Sequence, residues 1–197
     1  PGQAEYVYLR PHRSGEPTAL QYTPLFNGLD AWQLYHGPGF TAAAEIGHDR
    51  WVHVRLEVAG MQARAYLDGK SAPALVMRNL KHTVRTGGVA LAAPPAGQVH
   101  FANLRISAKA PVLAAAPKEL VLPGAITKWK LSRSFPISHV DRSLTPEGQT
   151  LDGLTWQEVE GEPSGLVNVS RWLSAPSTAP LVVFARATIH ADAREVR

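Results

Sequence analysis

Tyr8, Arg10, His12, Gln21, Tyr22, Asn27, Gln33, Tyr35 and His36 crowd the start of the chain. Phenol rings offer flat apolar faces with a polar tip. Amide, guanidinium and imidazole groups pair with neighbouring hydroxyls. On a concave surface that mixture suits a polyhydroxylated ligand, a carbohydrate above all. The competing reading is that Tyr8 only packs and that Arg10 pairs with Glu5 or another acid.

Covalent chemistry finds less support. The chain holds no G-x-S-x-G, H-E-x-x-H, P-loop or G-x-G-x-x-G pattern. Glycoside hydrolysis normally needs two carboxylates across a sugar-sized gap. The nearest approach is Glu45 and Asp49 around a turn, which reads as a solvated loop. Glu158, Glu160 and Glu162 alternate along one segment and read as a water-facing edge. Asp30, Asp49 and Asp68 all fall at turns, where Asp commonly bonds its own backbone. The eight His are scattered, and His53 reads as exposed. Trp129 and Trp156 could form a platform but read as core, and Arg186 reads as outward-facing. Asn168-Val169-Ser170 matches a glycosylation sequon, a triplet common by chance. No cofactor is expected.

The elements that must position these residues are strands. Trp51 to Gly69 reads WVHVRLEVAGMQARAYLDG. Val52, Val54, Leu56 and Val58 share one parity; His53, Arg55 and Glu57 share the other. Ala63, Ala65 and Leu67 resume the alternation after a turn at Ala59-Gly60. This period of two is that of a half-buried hairpin, and on a helix it would wrap around all sides. Tyr6, Tyr8 and Arg10 alternate against Val7 and Leu9 in the same way. Asn27-Gly28 is the strongest short hairpin signal. Further strands are expected over Ala19–Tyr22, Ala31–Tyr35, Phe40–Ile46, Gly87–Ala92 and Gln98–Ser107. A bulge near Ala102-Asn103 would bring Val99, Phe101, Leu104 and Ile106 to one core.

W-x-x-V-R-L-x-V-x-G-x-x-x-R-x-Y-L-D-G, then G-x-V-x-L and V-x-F-x-N-L-R-I, resembles concanavalin A-like and laminin-G-like sandwich domains. It is most similar to the form seen in bacterial 3-keto-disaccharide hydrolase-type domains. The resemblance covers about residues 5–107. It implies a sandwich whose concave face serves carbohydrate, with calcium at the rim as the one candidate ion. W-K-L-S-x-x-F-P, L-T-W-Q-E-V and V-F-A-R-A-T-I resemble the opening of galactose-binding-like jelly rolls.

Composition agrees with an all-β chain. Sixteen Gly and sixteen Pro punctuate short apolar stretches, and helical patterning is scarce. Net charge is +4, but the basic residues are spread singly, which disfavours a nucleic-acid partner. Without Cys there are no disulfides, zinc ribbons or thiol catalysis. No apolar run reaches membrane-spanning length, so no membrane partner is expected.

The expected fold is all-β: tandem antiparallel β-sandwiches of jelly-roll type. Residues 1–107 form an N-terminally truncated first domain, the Ala/Pro stretch 108–118 a linker, and 119–197 an incomplete second domain. The chain starts at Pro1 and reads as a fragment of a longer parent with other domains. The expected function is a lectin-like module of a secreted or periplasmic bacterial glycan-processing protein. Ligand-binding residues would be Tyr8, Arg10, His12, Gln21, Tyr22, Asn27, Gln33 and Tyr35. The alternatives are a hydrolase of glycosides or keto-sugars, and a structural spacer.

Overall fold

A computed structural model describes residues 2–95, 97–108, 111–114, 121–141, 154–173 and 180–190. The chain is all-β. Every regular element among the described residues is a strand or a 3-10 turn of three or four residues. Contacts divide the chain into two units, each assembled from segments apart in sequence. One comprises Glu5–Tyr22 and His36–Pro117; the other Pro1–Ala4, Thr23–Tyr35 and Lys118–Arg197. Of the linker 108–118, residues 109–110 and 115–118 lie outside the described set.

The first unit is built on the hairpin the alternation predicts. β5 (Val54–Ala59) pairs antiparallel with β6 (Gln62–Leu67), and β6 pairs with β7 (Leu75–Met77). The register places Val54 beside Leu67, Leu56 beside Ala65 and Val58 beside Ala63. The reversal falls on Gly60-Met61, one residue later than the Ala59-Gly60 reading, because Gly60 supplies a φ of +58°. A Cβ at Gly60 would meet no atom within 4 Å. Gly60→Ala should therefore meet no clash but strain the left-handed backbone, costing about 1 kcal/mol. A urea midpoint unchanged from the parent would contradict this.

The core of this unit gathers Ala63, Ala65, Leu67, Leu75 and Met77 against Ala19, Leu20, Tyr22, Ile46 and Leu80, with Val7 and Leu9 at its margin. Ala19, Leu20 and Tyr22 belong to β2 (Leu20–Phe26) and the residue before it; Val7 and Leu9 belong to β1 (Ala4–Leu9), its neighbour in the sheet. β4 (Thr41–Ala42) pairs with β2 through Leu20–Ala42 and Gln21–Thr41. The core stops short of β5. Val54, Leu56 and Val58 lie on the apolar face yet are 43%, 50% and 53% exposed.

Several expected strands are absent. Gly87–Ala92 and Gln98–Ser107 form none, and every described residue from 83 to 108 is exposed. The bulge expected near Ala102-Asn103 does not form, because a bulge needs a paired ladder: Asn103 takes φ +56° in an unpaired segment, and Val99, Phe101, Leu104 and Ile106 are all exposed. What is missing is a partner strand: alternation supplies an apolar face, but a strand also needs its backbone groups paired. Phe40–Ile46 contracts to β4 for the same reason.

In the second unit Asn27 and Gly28 both take positive φ, turning β2 into β3 (Leu29–Asp30) with Phe26 opposite Leu29. Ala31–Tyr35 is not a strand: Trp32–Leu34 form a 3-10 turn, and Trp32 and Leu34 are exposed. β8 (Lys128–Ser132) is flanked by β10 (Trp156–Glu160) and β12 (Ala185–Arg186), both antiparallel to it. β9 (Phe135–Pro136) pairs with β11 (Leu181–Val182). Leu131 and Val159 are buried; Glu158 is exposed and lies 3.3 Å from Lys130.

Candidate functional site

β1 sends odd and even residues to different jobs. Val7 and Leu9 pack on the core, so Tyr6, Tyr8 and Arg10 face the other way. The Arg10 N–H donates to the Ala19 carbonyl at 2.8 Å, which fixes the start of β2 alongside. Leu20 and Tyr22 enter the core, and Gln21 joins the face of Tyr8 and Arg10.

Three of the expected residues meet there. The Tyr8 hydroxyl donates to Gln21 Oε1 at 2.8 Å. Arg10 Nη2 donates to the same oxygen at 2.6 Å and to the Tyr8 hydroxyl. Arg10 Nη1 donates to the Thr18 carbonyl at 3.4 Å, and the guanidinium sits 4.7 Å from the Tyr8 ring centre. Tyr6 lies against Tyr8, centroids 5.6 Å apart and planes tilted by 46°. Tyr8 and Arg10 are half-buried, whereas Gln21 is wholly buried. Gln21 therefore braces the other two from behind.

The remaining expected residues go elsewhere. His12 is exposed on the 3-10 turn Pro11–Arg13, and His36 is exposed. Tyr22 is a core residue of the same unit. Its hydroxyl donates to Glu5 Oε1 at 2.6 Å and accepts the Lys81 N–H at 2.9 Å. Asn27, Gln33 and Tyr35 belong to the other unit. Asn27 Nδ2 donates to the carbonyls of Ser170 and Leu173 at 2.9 and 2.8 Å, and its Oδ1 accepts from Gln3. Gln33 is exposed on its 3-10 turn. Tyr35 is fully buried and donates to Glu162 Oε1 at 3.0 Å, while Asn168 Nδ2 donates to its hydroxyl at 3.2 Å. Burial first, and then the Glu162 carboxylate, push the Tyr35 phenol well above its ordinary value; the Asn168 bond opposes them.

Two polar networks were not anticipated. Glu5 Oε1 accepts from Tyr22, from the Lys81 N–H at 2.5 Å and from the His82 N–H at 3.0 Å. Its signal was present: Glu5 shares the parity of Val7 and Leu9, so its carboxylate had to meet donors at the core. Lys81 and His82 are buried, with Lys81 Nζ 5.3 Å from the Phe40 ring centre and His82 Nδ1 2.8 Å from Arg85. Glu162 likewise leaves the water-facing row expected for Glu158 and Glu160 and is buried beside Tyr35.

At the expected rim, Arg50 bonds Asp68 at 2.9 Å and the His53 N–H donates to Asp68 Oδ1 at 3.1 Å. These two bonds, in that order, hold the Asp68 carboxyl below its usual range. Glu45 and Asp49 are both exposed. Among the described residues no three His, Cys, Asp or Glu side chains group as a metal site, and no helix is long and apolar enough to cross a membrane. In the second unit Trp129 lines an apolar cavity of about 230 Å³ with Leu131, Gly165, Val167, Val169 and Ala185. The Trp129 indole N–H is spent on the Ile126 carbonyl, and Trp156 is covered by the Arg186 guanidinium at 4.1 Å.

No protein-family model, no curated protein and no solved structure matches the chain.

Proposed function

We propose that the chain is a carbohydrate-binding module and that the Tyr6, Tyr8, Arg10 face of β1 receives the sugar. The observation that carries this reading is the convergence of Tyr8 and Arg10 on Gln21 beside a second tyrosine ring. Tilted phenol rings supply apolar plates for sugar C–H faces. A guanidinium already held by Gln21 and Thr18 loses little freedom when it bonds a hydroxyl pair. Recognition is non-covalent, and the module serves an exported glycan-processing protein.

The hydrolase alternative has a weaker footing. The Glu5 carboxylate uses one oxygen to accept three donors, which suits a staple better than an acid or base.

A glycan array probed with the folded 197-residue chain, with and without calcium, tests the proposal. Binding to a defined glycan should fall about tenfold or more in Tyr8→Ala, which removes one ring and uncouples Arg10. A folded chain that binds no glycan would overturn the proposal and leave the spacer reading. Binding that requires calcium would move the site to the rim aspartates.

A further inference from the structure

β5 ends the sheet β5-β6-β7, and among the described residues no strand pairs with its outer side. The hydrogen-bond phase of that edge can be read. The His53 carbonyl accepts the Asp68 N–H at 2.8 Å, so His53 turns its backbone toward β6. In an antiparallel ladder the phase alternates, so Arg55, Glu57 and Ala59 also turn inward. Val54, Leu56 and Val58 turn their N–H and C=O groups outward. The same three residues carry the exposed aliphatic side chains.

We propose that this edge is an interface between two copies of the chain, joined antiparallel about a two-fold axis at Leu56. The axis follows from phase and charge. Outward-turned residues must pair with outward-turned residues, so the axis passes through residue 55, 56 or 57. An axis at 55 sets Arg55 against the partner's Arg55, and one at 57 sets Glu57 against the partner's Glu57. Only the axis at Leu56 sets Arg55 opposite the partner's Glu57, twice by symmetry, with Val54 opposite the partner's Val58. These charged pairs fall at non-hydrogen-bonded positions, where cross-strand side chains approach closest. Arg55 and Glu57 already bond each other along the strand, and Tyr66 holds Glu57 at 2.9 Å, so both are oriented on that face before a partner arrives. Two three-stranded sheets become one of six, and the aliphatic rows of both edges meet. This interface is independent of the carbohydrate reading.

Sedimentation velocity on the 197-residue chain over a range of concentrations tests the proposal. A reversible monomer–dimer equilibrium is expected. Arg55→Glu and Glu57→Arg should each weaken the dimer about tenfold, because each creates two like-charge pairs across the axis. The double variant should restore the parent affinity. Leu56→Lys, at a half-exposed position that folding tolerates, should abolish the dimer with an unchanged circular dichroism spectrum. A chain that stays monomeric at every concentration, growth beyond dimers, or a double variant no better than the singles would overturn the two-fold edge pairing.

Discussion

Replacing Tyr22 by Ala should destabilise the protein by about 3–5 kcal/mol, and replacing it by Phe by about 1–3 kcal/mol. The ring is 1% exposed and stacks on Phe40 with centroids 6.1 Å apart, so its removal leaves a cavity among Leu20, Ile46 and Met77. The smaller change isolates the hydroxyl. That group donates to Glu5 and accepts from the Lys81 backbone, and in Tyr22→Phe both lose this partner. Urea denaturation of the two variants beside the parent provides the check. Equal losses in both would mean that the hydroxyl carries the whole effect; a neutral Tyr22→Phe would mean that it carries none.

Tyr35 carries the second large effect, in the other unit. Tyr35→Phe should cost about 1–3 kcal/mol at neutral pH, since Glu162 and Asn168 each lose a buried partner. It should also change the alkaline limb of stability. The folded phenol ionises well above the unfolded value of 10.0. Above pH 10 the unfolded chain releases this proton first and binds fewer protons than the folded one, so stability falls as pH rises. The contribution is complete below pH 10 and is lost upward from there. Tyr35→Phe should flatten that limb relative to the parent. A pair of stability profiles from pH 8 to pH 11 with identical alkaline slopes would dispose of this account.

Alternation made much of the first unit legible. Val54 to Leu67 reads as a hairpin because residues of one parity are apolar over two successive stretches, and in the second unit Asn27-Gly28 reads as a turn because both positions tolerate positive φ. Alternation does not report whether anything lies above the apolar row or beside the backbone. Val89, Leu91, Phe101 and Ile106 therefore looked like core and are exposed, and Ala31–Tyr35 looked extended and coils into a 3-10 turn. The candidate face was legible in the parity of Tyr6, Tyr8 and Arg10. The dispersal of Tyr22, Asn27 and Tyr35 was not, because it depends on long-range partners: Glu5, Ser170 and Glu162. Polar side chains of the same type serve a surface or a core according to such partners, and a local pattern does not name them.

The Glu5 staple also bears on the order in which the first unit assembles. β5, β6 and β7 close over short connections, whereas Glu5 reaches the Lys81 backbone across 76 residues. Closing the longer loop loses more chain entropy, so the three-stranded meander should be in place at the folding transition state and the staple should close after it. The hydroxyl of Tyr22 would then act on the exit from the native state. In stopped-flow measurements Tyr22→Phe should unfold faster than the parent while refolding at nearly the same rate. The carboxylate at the first strand is in this sense a latch that sets how long the assembled unit persists.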